Sequence, residues 1–173
     1  MLYLVRDIRL RGTAPKFDVL SAMVYYIDAF PERFHHPKED AYLFKFLALR
    51  YPDAAPLIDQ LKMEHRAGAE KIRTLEQALT RYQQGGGAEF PEFAQAVQAY
   101  AAFHWDHMRN EEDKLIPLAR DHLTAEDWKE IDAAFSGHSD PLFGAEAEAE
   151  YNSLFRKIVN LAPSPIGLGP AQS

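Results

Sequence analysis

Apolar residues recur along this chain at intervals of three and four, the spacing that stacks side chains on one face of a helix. The most regular run is Ile58, Leu61, His65, Gly68, Ile72, Leu75 and Leu79, a seam interrupted by one imidazole and one glycine. A second seam follows Phe93, Val97, Tyr100, His104, His107, Glu111 and Leu118. A third begins with Phe17, Leu20, Val24 and Ile27, is interrupted at Pro31 and Pro37, and resumes through Glu39, Tyr42, Phe46 and Leu49. No period-two alternation of useful length suggests a strand. The pattern predicts an all-α protein. A short, uncapped first helix over residues 2–10, closed by Gly12, leads to one kinked helix over 17–50 whose break lies beside His35 and His36. A third helix, capped by Asp53, ends at QQGGG (83–87), read as a flexible connection. A fourth runs over 91–122, a fifth opens at Thr124 with Asp127, and a last one covers 145–161. GHSDPLFG (137–144) reads as a turn and 163–173 as a disordered tail, leaving 1–162 as a single domain.

The polar members of these seams carry the chemistry. His104, His107 and Glu111 share one face of the fourth helix, and an unpaired charge on a core-facing stripe costs several kcal/mol or more. The arrangement HxxxE occurs at His35 and Glu39 and again at His107 and Glu111, each time placing an imidazole and a carboxylate on adjacent turns. Taken singly, a core histidine reads as a hydrogen-bonded structural residue, and one HxxxE pair as an exposed side-chain contact. Two such pairs in phase with independent apolar stripes, plus His65 in mid-seam with Gly68 leaving room beside it, read instead as a metal site. Facing one another, the two pairs can hold two ions, with each Glu as a bridge. Nitrogen and carboxylate ligands without sulfur favour iron, manganese or zinc. His122 and His138 lie outside the stripes and read as surface or turn residues.

Bulk composition narrows the rest. The 173 residues carry a formal net charge of -7, with 47% hydrophobic and 26% charged residues and no cysteine. That is globular composition, without the basic surface that nucleic acid requires and without material for disulfide or thiolate chemistry. The opening MLYLVRDIRL has too short an apolar run for a signal-peptide core or a membrane span, so a cytoplasmic location is expected.

HHPKEDAYLF, the Glu64–His65 pair and HMRNEEDKLIPLA resemble the hemerythrin-like HHE cation-binding proteins, with similarity from about Phe17 to the DPLFG before residue 145. The resemblance implies an up-down four-helix bundle around a non-haem di-iron centre, here with a shortened first helix and additional C-terminal helices. It makes His35, Glu39, His65, His107 and Glu111 the iron ligands, with Glu39 and Glu111 bridging. It also implies a small partner, a diatomic molecule such as oxygen or nitric oxide, or a peroxide. Relatives supply a further histidine from the first helix, and this chain has none before His35. Either the chain is truncated relative to those relatives or its site is one ligand poorer. His104 and His36 are the residues placed to compensate, as ligands or as hydrogen-bond partners of ligands. A stunted first helix would also leave part of the bundle seam uncovered, so a homodimer is expected. Two other readings stand beside this one. The first is a helical interaction or scaffold domain with a degraded site, and the second is a hydrolytic di-metal enzyme, for which no substrate-orienting motif accompanies the ligands.

Overall fold

The computed structural model describes residues 1–12, 17–136, 145–162 and 166–168, with the side chains of 145–152 left out of account. The turn expected over 137–144, His138 within it, and most of the expected tail lie outside the described residues. Among those described, the structure is helical with no strand. Helix α1 spans Leu2–Arg11 and ends on Gly12, whose left-handed backbone (φ 66°) lets its N–H donate to the Ile8 carbonyl. Helix α2 covers residues 17–50, α3 is Ala55–Gly85, α4 covers residues 90–122, α5 is Ala125–Phe135 and α6 is Ala145–Leu161. Helices α1 to α4 form the bundle, with α6 against the first half of α2 and α5 against its second half.

Two expectations about element ends are corrected. Asp53 does not cap α3: it lies in a short 3-10 turn, Pro52–Ala54, and the N-cap position falls on Ala54 with no side-chain bond. The glycine run is not a loose connection either. Helix α3 continues through Gly85, and only Gly86 (φ 67°) takes the left-handed conformation before a 3-10 turn, Gly86–Glu89, leads directly into α4. Thr124 and Asp127 do form a reciprocal capping box at the start of α5. Asp127 also receives both the Nε and an Nη of Arg50, which ties α5 to the end of α2.

The expected break in α2 is absent. The helix passes Pro31 and Pro37 by widening into two stretches of i→i+5 turns, Asp28–His35 and Glu39–Leu43, and α4 does the same over Glu111–Leu115. Proline supplies no N–H and clashes with the preceding turn, and a wider turn relieves both problems without ending the helix. The bonds are explicit: the N–H of His36 donates to Pro31, that of Phe44 to Glu39, and that of Ile116 to Glu111.

These wide turns change which residues face the core. On α3, which has none, all seven seam positions are buried as the periodicity predicts. On α2 the buried residues beyond the widening are Glu39, Leu43, Phe44 and Leu47, while Tyr42 and Leu49 are exposed. On α4 they are His107, Leu115 and Ala119, with Leu118 only half-buried. Steps of four stay in register through a wide turn, whereas a register projected at 3.6 residues per turn drifts away from it. Two apolar clusters result, one built around Leu20, Ile72, Leu75 and Phe93 and the other around Phe44, Leu47, Leu61 and Leu115. The polar residues of the three seams lie in the layer between them.

Candidate metal centre

Both inner carboxylates are placed by the same local device. Glu39 and Glu111 are each the first residue of a wide stretch, so their own carbonyls accept from five residues on, and their side chains turn inward between the apolar clusters. His65 enters from the straight helix α3, between Leu61 and Ile72. His107 lies one turn before Glu111 on α4.

Two groups of side chains converge tightly enough to hold an ion. In His36, His65 and His107, all buried, one ligand atom from each lies within 4.8 Å of the others, and the same holds for Glu39, His65 and Glu111. His65 belongs to both, so the groups are contiguous. Its Nε2 stands 3.6 Å from Glu39 Oε2 and 3.8 Å from Glu111 Oε1. His107 Nε2 is 3.2 Å from Glu111 Oε1 without the alignment of a hydrogen bond.

The outer nitrogens of two of these rings are fixed. His65 Nδ1 is 3.0 Å from Asp40 Oδ1, and His107 Nδ1 is 2.9 Å from Glu64 Oε2. A carboxylate oxygen accepts, so Nδ1 is the donor in each ring and Nε2 is the atom presented to the interior. Asn110 holds the second oxygen of Glu64 at 3.0 Å. The inward atoms are left without hydrogen-bond partners: Nε2 of His65 and His107, Oε2 of Glu39 and Oε1 of Glu111 are all buried and unsatisfied. Orphaned polar atoms are rare in folded proteins because each costs of order 1–3 kcal/mol. Four of them pointing into one layer, two nitrogen and two oxygen, suit a cation of the iron, manganese or zinc type.

The charges agree. Burial alone would lower the His107 pKa, but the carboxylates of Glu111 and Glu64 outweigh it and raise it to about 9. Burial would raise Glu111, and the facing His107 and His65 instead hold it down at about 2. Without a metal the layer is thus held by ion pairing, with a proton on His107 in the place of a cation.

The remaining sequence candidates fall around this core. His35 sits at the rim, its side chain 38% exposed, with Nε2 3.3 Å from Glu39 Oε1 and the Phe135 ring edge-on at 5.4 Å. Its pKa is raised, first by the contact with Glu39. His36, the next residue, is the one brought inside, its ring stacked on His65 at 4.2 Å. His104 stacks on Tyr100 at 5.9 Å, and its ring lies 6.5 Å from that of His107, outside both convergent groups. Burial lowers its pKa, with His107 and His36 adding to the effect. Helix α1 buries Leu4, Val5 and Ile8 and brings no ligand-type side chain to the layer. Asp40 was not singled out in sequence, and Glu64 entered only as the neighbour of His65 in the pair that carried the resemblance, without a role of its own. Their signal was adjacency, since Asp40 follows Glu39 and Glu64 precedes His65.

No curated protein and no solved structure matches the chain. The family model described as the hemerythrin HHE cation-binding domain matches residues 3–119, well over half of the chain and inclusive of every residue of the layer. With its helical bundle and its inward histidines and carboxylates, this chain belongs to the hemerythrin HHE cation-binding family.

Proposed function

We propose that the chain holds a non-haem di-iron centre on α2, α3 and α4 and uses it to bind or sense a small ligand such as oxygen, nitric oxide or a peroxide. The observation that carries this is the set of buried, unpartnered Nε2 and carboxylate oxygen atoms converging around His65. His36, His65 and His107 would supply nitrogens and Glu39 and Glu111 carboxylate oxygens to the metal, and His35 reaches the other oxygen of Glu39 from the half-exposed rim. Iron bound in such a set supplies redox chemistry and affinity for diatomic molecules. The protein's part is to hold its ligands oriented with Nε2 turned inward, which Asp40 and Glu64 do for two of the histidines, and to shield the layer between two apolar clusters.

Anaerobic reconstitution with iron(II), elemental analysis and absorption spectra before and after air exposure test the proposal. Two irons per chain and near-ultraviolet bridged di-iron bands are expected. A protein that retains no stoichiometric iron and shows no such absorption refutes it, and preferential retention of manganese or zinc redefines the cofactor. The reading as an interaction domain with a degraded site draws on the absence of a histidine from α1. It requires the thermal stability of wild type to be indifferent to iron, as that of His65→Ala would be. The same proposal includes a homodimer in which a second copy covers the face where Leu2 and Trp105 stand exposed. A stable monomer by sedimentation at low concentration counts against it.

A further inference from the structure

On the flank of the centre that faces α1, the structure has an apolar cavity of about 310 Å³, lined in part by Tyr3, Ile27, Pro31, Tyr100 and His104. Between this cavity and His36 stands a carboxylate that no motif marked. The Glu32 side chain is only 4% exposed, although it lies in the first wide stretch of α2 and, among the described residues, no lysine or arginine is bonded to it. Its Oε1 accepts a hydrogen bond from the Tyr100 hydroxyl at 3.1 Å, and its Oε2 lies 3.4 Å from His36 Nδ1. Burial and the Glu32 charge push the Tyr100 hydroxyl well above its ordinary pKa, so it stays protonated and remains a donor. The carboxylate lies against Gly68 on α3, where a side chain would oblige it to shift by a few tenths of an ångström. A β-carbon there would stand 3.0 Å from both oxygens of Glu32. A mid-helix glycine costs roughly 1 kcal/mol against alanine, and here that cost makes room for a buried charge.

The pattern matches the other two histidines of the cluster. Asp40 stands behind Nδ1 of His65, Glu64 behind Nδ1 of His107, and Glu32 behind Nδ1 of His36. The first two contacts are complete hydrogen bonds. The third, at 3.4 Å, is a close approach without the alignment of a hydrogen bond, and it leaves His36 Nδ1 without a hydrogen-bond partner. Glu32 itself is absent from both groups that converge within 4.8 Å, which places it behind His36 rather than among the inward ligands. We propose that Glu32 is the positioning carboxylate of His36, held by the Tyr100 hydroxyl and admitted by Gly68, so that His36 is fixed with Nδ1 protonated and Nε2 presented to the metal. This rests on the metal centre proposed above. It gives the flank facing α1 its own orienting group in a chain whose first helix brings none.

The test uses the full chain loaded with zinc(II), a closed-shell probe. It combines zinc affinity by competition with a chelator and long-range ¹H–¹⁵N spectra of the imidazoles. In wild type, His36 is expected to carry its proton on Nδ1 and zinc on Nε2. Glu32→Ala should weaken zinc binding 10- to 100-fold and erase the fixed Nδ1 proton. Glu32→Gln, which keeps an acceptor oxygen and guards against misfolding of the alanine variant, should retain most of both. Tyr100→Phe and Gly68→Ala should shift both readouts in the direction of Glu32→Ala, by less. Wild-type affinity and an unchanged His36 spectrum in Glu32→Ala, or zinc on Nδ1 of His36, would overturn the proposal. If wild type takes up neither zinc nor iron, the metal-centre reading is what has failed. The metal-free spectrum then decides the point: a His36 Nδ1 proton that depends on Glu32 supports the positioning role, and one indifferent to Glu32 overturns it.

Discussion

Metal uptake by this protein should release a proton from His107, and the structure sets the size of the effect. In the metal-free layer the carboxylates of Glu111 and Glu64 outweigh the burial of His107 and bring its pKa to about 9. Nδ1 is committed to Glu64, so the proton displaced by an ion is the one on Nε2, facing Glu111. Two units below that pKa only about 1% of His107 is ready to ligate, and at the pKa about half is, so apparent affinity should rise nearly tenfold from pH 7 to pH 8 and about 50-fold between pH 7 and pH 9. Glu111 adds nothing to this slope, because its pKa of about 2 leaves it ionised throughout the window. Calorimetric titration with manganese(II), in buffers of different ionisation enthalpy, counts the protons directly. Wild type should release about one more proton per chain at pH 7 than His107→Gln, and the variant should bind more weakly with a flatter pH dependence. Equal proton release by the two proteins, or a wild-type affinity that is flat from pH 7 to 9, would refute the reasoning.

Further outcomes follow from the same geometry. For the metal-free protein, the raised His107 contributes stability that is fully present below its ordinary 6.5 and lost as pH rises through about 9. The depressed Glu111 contributes stability that is present above its ordinary 4.5 and lost as pH falls through about 2. Melting temperatures in chelator should therefore be highest between pH 4.5 and 6.5, and a maximum above pH 8 would contradict the assignment. Leu47→Ala should destabilise by about 2–5 kcal/mol in urea unfolding, and Leu49→Ala by less than about 0.5, because the first is fully buried and the second is 68% exposed. The reverse order would mean that the wide turns of α2 do not reset its register. Thr124→Ala should cost about 1 kcal/mol through loss of the capping box, with iron content unchanged, as read by thermal unfolding and elemental analysis.

What could be read from the sequence was whatever obeys a constant helical period. The α3 seam is buried at every position predicted, and His65 falls in its middle because nothing along that helix disturbs 3.6 residues per turn. The all-α bundle and the family membership were legible on the same grounds, together with the paired HxxxE spacing. The phase of α2 and α4 beyond their carboxylates was not legible. There Tyr42, Leu49 and Leu118 were expected inward, and Leu43, Leu47, Leu115 and Ala119 are buried instead. Pro31 and Pro37 announced a disturbance, but a wide turn and a break leave the same trace in sequence. The same ambiguity governs the two adjacent histidines. Which of His35 and His36 turns inward depends on the local winding of α2, and periodicity cannot supply that. Glu32 was invisible for another reason: its partners Tyr100 and Gly68 come from two other helices, and only the folded chain juxtaposes them.

The unequal winding of the three site helices has a mechanical side. The α3 wall, where His65 stands, is regular from end to end, whereas the walls carrying Glu39 and Glu111 pivot on turns whose hydrogen bonds span one residue more than usual. On that winding, the α3 side of the layer should be stiffer than the other two. An arriving ion can therefore draw the carboxylates inward by small rewinding at Glu39–Leu43 and Glu111–Leu115 while His65 serves as the fixed point. In hydrogen exchange, amides of those two segments should slow on metal binding far more than those of α3, so that the cation acts as a clamp on the bundle's softest turns.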